Sequence, residues 1–329
     1  MSVLGEPLRS RPHVAGSTEF RLLGPVGIRD GATGADIVPP GSKQRALLAA
    51  FVTHAGTLLS ADRLTEELWG SAPPTNAPNA LQAHVGRLRR LLPAPQGPGA
   101  GDHEWISTLP TGYLLRLGHA TTDVQHFGRL SAEGRAALAS DPGRAAGLLR
   151  HALSLWRGPA LQDSRTGPIG AIEADRLEEM RLCTLEALYE ASLRCAQHGE
   201  IIGELEKLTA AHPLRERFYD LLMVSLYRSG RQAEALGVYE RARRRLADAL
   251  GIQPGPALSG RMEAILHHSP GLGAPADEPA AASAHPRPAA ARNLGDEVAR
   301  LQHRIDELVW EQRELVRRFD SVVARLPDL

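Results

Sequence analysis

Asn79-Ala80-Leu81-Gln82-Ala83-His84-Val85-Gly86-Arg87-Leu88-Arg89-Arg90-Leu91-Leu92 is the stretch on which the fold turns. Leu81, Val85, Leu88 and Leu92 recur at alternating helical spacings and predict one buried apolar stripe. Asn79, Gln82, Ala83, Gly86, Arg87, Arg89 and Arg90 face elsewhere. One side therefore packs, and the other offers amides and guanidiniums. No acidic residue occurs between Glu67 and Asp102. The small Ala83 and Gly86 would let the polar face approach a partner closely, although Gly86 costs the helix about 1 kcal/mol relative to Ala.

Working outward, the flanks supply a recognisable order. Phe20–Leu23 and Val26–Ile28 predict two short strands bent at Gly24-Pro25, continued by Ile37-Val38. Ser42 is a candidate N-cap for a helix over residues 43–54, and Ser60 for one over residues 61–69 that stops at Gly70. The run Ala72–Pro78 reads as a Pro-rich turn. Beyond the Arg-rich helix, Trp105–Thr108 and Tyr113–Leu117 predict a hairpin around Leu109-Pro110-Thr111-Gly112. Strands, three helices and a closing hairpin make the order of a winged helix-turn-helix. An α-helix fills the major groove, where Asn and Gln can bond adenine and Arg can bond guanine or phosphate.

Residues 121–268 are almost wholly helix-periodic. Leu148–Trp156, Leu177–Gln197, Ile201–Ala211, Tyr219–Arg228 and Gln232–Leu250 are the predicted helices. Leu222, Leu226, Gly230, Ala235, Tyr239 and Ala242 match tetratricopeptide spacing, with an earlier, degenerate copy turning at Gly199. Such stacked hairpins bind protein surfaces. Trp156 and Tyr239 are expected in the core, and Cys183 and Cys195 are expected to be small buried hydrophobes.

Two cysteines cannot build a metal cluster, and no phosphate loop, zinc-protease motif or Ser/His/Asp order occurs, so neither enzyme, cofactor nor metal site is expected. No run of about 18 apolar residues and no signal peptide appears, which predicts a cytoplasmic protein without a membrane partner. The 38 basic and 38 acidic residues cancel. That balance does not exclude nucleic acid, because the only acid-free basic stretch is the helix quoted above.

The fold expected is mainly α. A tail over residues 1–18 precedes a winged helix-turn-helix over 19–118, and an all-α tetratricopeptide-like domain spans 121–268. A Pro/Ala-rich linker over 269–292 then leads to a coiled-coil helix over 293–326. In that last segment Leu294, Val298, Leu301, Ile305, Leu308, Gln312, Leu315, Phe319, Val322 and Leu326 alternate steps of four and three, a heptad seam. The pattern predicts a homo-oligomer. Val309, Val316 and Val323 widen the apolar face, so a dimer, a higher oligomer and docking onto the repeat domain all stay open.

The motifs Pro40–Ala49, Leu59–Leu64, Leu68–Gly70, Asn79–Leu91 and Gly112–Leu115 resemble those of the SARP (Streptomyces antibiotic regulatory protein) activators. Leu155–Leu161, His212–Arg217, Leu226–Leu236 and Leu250–Pro256 resemble that family's bacterial transcriptional activator domain, so the likeness covers roughly residues 20–268. The resemblance implies a sequence-specific activator of a secondary-metabolite gene cluster. Such an activator binds direct repeats in double-stranded promoter DNA and recruits RNA polymerase through its sigma or alpha subunit. By the same resemblance Gln82, Arg87 and Arg90 would face bases or nearby phosphates. Lys43, Arg45, Arg63, His84, Thr111 and Gly112 would hold the backbone. The alternative reading is a helical-repeat adaptor that does not touch DNA. If the heptad segment is the oligomerisation element, light scattering will give a larger particle for the full chain than for a chain ending at residue 268; equal protomer numbers would exclude it.

Overall fold

The computed structural model describes residues 17–95, 104–165 and 167–272. The predicted tail before residue 17, most of the linker and the whole heptad segment, with Leu294, Val298, Leu301, Ile305, Leu308, Leu315, Phe319 and Val322, lie outside the described residues.

The chain opens with β1 (Glu19–Arg21), β2 (Gly27–Arg29) and β3 (Asp36–Ile37), followed by α1 (Ser42–Thr53). β4 (Leu58–Ser60) and α2 (Ala61–Trp69) lead to α3 (Ala77–Leu91), and β5 (Ile106–Leu109) and β6 (Gly112–Leu115) form the hairpin. β4 pairs with β6, giving the order β4-β6-β5. A short β7 (Thr121–Thr122) returns to pair in parallel with β1 and completes a second sheet, β3-β2-β1-β7. Three helices, a hairpin and a leading sheet are the winged helix-turn-helix that the sequence order predicts.

Local chemistry moved several boundaries. Ser42 does not cap α1: Gly41, at φ 80°, holds the cap position, and Ser42 is the first helical residue. The turn before α3 ends at Asn76, whose side chain accepts from the Asn79 N–H at 3.3 Å, so Pro78 lies inside the helix. Proline is tolerated there because first-turn N–H groups have no intrahelical partner. Ser60 does cap α2, accepting from Arg63 N–H. Leu109 and Gly112 belong to the strands, leaving a two-residue turn at Pro110-Thr111.

The rest is helical: α4 (Asp123–Ala137), α5 (Pro142–Ser154), α6 (Pro168–Arg194), α7 (His198–Ala211), α8 (Glu216–Arg228), α9 (Gln232–Leu250) and α10 (Pro256–Leu266). A buried cluster runs from Phe20, Leu23 and Phe51 of the winged helix into Phe127, Ala174 and Leu177 of α4 and α6. Another joins α6 to α10 around Phe218, Leu222, Ala235 and Ala242. Trp156 and Tyr239 pack against these cores as expected. Cys183 and Cys195 are only partly buried, and the Cys183 Sγ lies 3.3 Å from Glu179 Oε1.

The earlier repeat turns at Ala196 rather than at Gly199. Ala196 stands 34 positions before Gly230, and both take left-handed backbone, φ 57° and 76°. The closing bonds repeat with the same offset: Gln197 N–H to Ser192 C=O and Arg231 N–H to Leu226 C=O, each 2.9 Å. Gly199 lies within α7. The glycine was misleading because the turn geometry, not the residue, is what repeats. An L-residue in that conformation costs roughly 1–2 kcal/mol. Ala196→Gly is therefore expected to raise unfolding free energy by about 1 kcal/mol, and Gly230→Ala to lower it by a similar amount, in urea titrations.

Candidate nucleic-acid interface

Leu81, Val85 and Leu88 seat α3 in the core, at 0–1% exposure. That stripe forces the opposite side outward: Asn79, Gln82, Ala83, Arg87 and Arg90 are exposed. Nothing lies within 4 Å of where a Gly86 side chain would project, so the ridge has an open step there. Arg87 has no carboxylate partner among the described residues, and Arg90 Nε only reaches back to the Gly86 carbonyl at 3.3 Å. The result is a helix about 10–12 Å wide presenting amides and unpaired guanidiniums, matched to a major groove about 12 Å across.

Beside it, residues far apart in sequence converge. Gln44 of α1 donates its amide to His84 Nδ1 at 2.9 Å and leans on the His84 carbonyl oxygen at 3.4 Å. Because a carbonyl can only accept, that amide nitrogen is the donor in both contacts, which leaves the imidazole proton on Nε2. The His84 ring packs edge-on against Trp69, 5.7 Å between centroids, and Lys43 Nζ stands 4.9 Å from the same indole centroid. Burial, then Arg87 and Lys43 nearby, hold the His84 imidazole below its ordinary pKa. His84 is thereby biased toward its neutral form, an N–H donor near Arg87 and Lys43. Gln44 and Trp69 were not singled out from the sequence, since neither carries a periodic signal.

The remaining expected residues divide. Thr111 is exposed at the hairpin turn, and Arg45 is half-buried with Nη1 3.3 Å from Pro39 C=O. Arg89 points away from the open face. Its Nε and Nη2 donate to Ile106 C=O at 3.0 and 2.6 Å, and Nη2 also reaches Thr108 Oγ1 at 2.9 Å. Glu104 sits 3.2 Å from Nε. Arg89 thus ties the hairpin to α3, because position 89 falls on the flank of the helix that faces β5. Gly112 is buried between β4 and β5, where a Cβ would run into the Leu59 carbonyl, so its requirement is steric. Arg63 lines the cleft between α2 and the start of α6, with Pro168 and Ile172, rather than the α3 surface.

A groove-sized helix with an unpaired cationic face, braced by a hairpin, defines a winged-helix DNA-binding regulator. The comparisons agree. Residues 36–115 match the family "Transcriptional regulatory protein, C terminal", and residues 122–266 match "Bacterial transcriptional activator domain". The chain is 43% identical to the transcriptional regulator RedD of Streptomyces coelicolor, over 79% of this chain and 73% of that one. It is 36% identical to the regulatory protein DnrI of Streptomyces peucetius, over 80% and 98% respectively. It also matches the regulatory protein AfsR of Streptomyces coelicolor at 42% identity, but spans only 25% of it. Among solved structures, Mycobacterium tuberculosis EmbR, in complex with a low-affinity phosphopeptide, superposes with a TM-score of 0.68 at 36% identity, covering 76% of this chain and 65% of that one.

The chain belongs to the SARP family of transcriptional regulators. Arg87 and Arg89, two positions apart, should separate in their effects. Arg89→Ala strips Ile106 C=O of its donors and is expected to cost about 1–3 kcal/mol of stability. Arg87→Ala is expected to leave stability within about 0.5 kcal/mol while weakening DNA binding. Urea titration and fluorescence anisotropy on the same two variants check this.

Proposed function

We propose that the chain is a pathway-specific transcriptional activator of a secondary-metabolite gene cluster, acting in the cytoplasm. Gln82, Arg87 and Arg90 read base edges in the major groove, with Asn79 at the helix start. Lys43, His84 and the hairpin turn at Thr111 hold flanking phosphates. The helical domain recruits RNA polymerase to promoters in which the site is repeated head to tail. The observation that carries this reading is the exposed, carboxylate-free face of α3 with Arg87 unpaired. The resemblance of the paired domains to RedD and DnrI supports the activator role. Among the described residues no helix is long and apolar enough to cross a membrane.

The adaptor alternative makes the opposite prediction about salt. Each phosphate neutralised releases counterions, so log affinity should fall with log salt at a slope near −0.9 per contact. For a duplex from the regulated promoter, anisotropy titrations between about 50 and 200 mM salt should give a slope of several units. Replacing Arg87 and Arg90 together by Ala should cost about 100-fold in affinity and abolish preference over a scrambled duplex, since a good base pairing contributes about 1–3 kcal/mol. A flat salt response, or a double variant that binds as tightly as the parent, contradicts the assignment.

A further inference from the structure

A cleft of about 380 Å³ opens between the end of α1, α2 and the first turns of α6. It shares no residue with the α3 face, and its size falls in the range of small-molecule sites. One wall is apolar, made by Pro168, Ile169 and Ile172. Ile172 is 71% exposed, unusually bare for a branched aliphatic side chain. The other wall carries Arg63 and Glu66, one helical turn apart on α2 and both exposed. Neither takes part in a side-chain hydrogen bond or ion pair among the described residues. Thr53 and His54, at the end of α1, line the rest of the cleft. Glu173 also lines the cleft, but its carboxylate is already held by Arg176 at 2.7 and 2.8 Å.

We propose that this cleft binds a small zwitterion with an apolar body, an amino acid or a close derivative. A free guanidinium suits a carboxylate, which it can grip with two parallel hydrogen bonds. A free carboxylate one turn away suits an ammonium. Ile172 with Pro168 covers the apolar side chain. A simple anion would leave Glu66 facing it, and a simple amine would face Arg63, so a ligand carrying both charges fits best. Beneath the site Glu67 fixes the start of α6, so the apolar wall is held rigidly to the charged one. A ligand here touches both the DNA-reading half and the helical half, and its binding stabilises their union by mass action.

The test is calorimetric titration of the full chain with L-tryptophan, L-phenylalanine and L-leucine. The one that binds is then compared with its N-acetyl derivative, which lacks the ammonium, and with its decarboxylated amine. The expected result is one saturable site for at least one amino acid, with a loss of about tenfold or more when either charge is removed. Arg63→Ala and Ile172→Asp should each weaken binding by a similar factor while leaving the thermal melt of the free chain unchanged, since both side chains are exposed. No saturable binding by any of the three overturns the proposal. So does binding that ignores both substitutions, or a singly charged derivative that binds as well as the zwitterion.

Discussion

One buried carboxylate pins the helical half of this protein to the winged-helix half. Glu67, on α2 and fully buried, accepts the Ile169 N–H at 2.7 Å and the Gly170 N–H at 3.0 Å. Those amides are first-turn donors of the 27-residue α6, which have no partner within the helix. A negative charge there also meets the favourable end of the helix dipole. Burial pushes the Glu67 carboxyl above its ordinary pKa, and the two amide bonds pull it back down. Gly167 and Gly170 make the approach possible, because a Cβ at Gly167 would collide with Glu67 and one at Gly170 would press on its Oε1. A helix that would normally carry its own cap is capped by the neighbouring domain.

A second pin works the same way in reverse. Asp123, at the start of α4, accepts the Leu22 and Leu23 N–H groups of the winged helix at 2.8–3.0 Å, with Arg157 at 3.0 Å. β7 joins the leading sheet, and the apolar cluster is continuous from Phe20 to Leu177. α3 is therefore carried on one packed body rather than on a tethered head. Under the proposed function, the position of DNA would then fix the position of the helical surface offered to RNA polymerase. The zero net charge fits this division: α3 carries two arginines without a carboxylate partner, Arg87 and Arg90, while many of the helical domain's charges are spent on each other, as in the Glu179–Arg215–Glu186 and Glu190–Arg217–Asp220–Arg261 chains.

The winged-helix order and the α3 stripe were legible in the sequence because apolar periodicity reports directly on burial. Leu81, Val85 and Leu88 are buried as the spacing requires. What periodicity cannot report is which polar side chain turns inward. Glu67 and Asp123 look like ordinary surface acids until the domain they touch is in place. Arg89 and Arg90 are adjacent and chemically identical in sequence, yet one braces β5 and the other stays free, a difference set by about 100° of helix rotation. The same limit applies to Arg63, whose place beside the cleft with Pro168 and Ile172 no periodicity could report. Gly199 misled for a different reason: a left-handed turn favours glycine without requiring it, and Ala196 takes that conformation instead.

Under the proposed function, α3 enters the major groove and reads guanines there through Arg87 and Arg90. Methylation interference on the bound promoter tests it most directly, because dimethyl sulfate marks guanine N7 in the major groove and adenine N3 in the minor groove. N7 methylation within each repeat is expected to block binding, and this interference is expected to disappear in the Arg87→Ala, Arg90→Ala chain. Binding that tolerates N7 methylation throughout the site, and is lost only on minor-groove methylation, would contradict it.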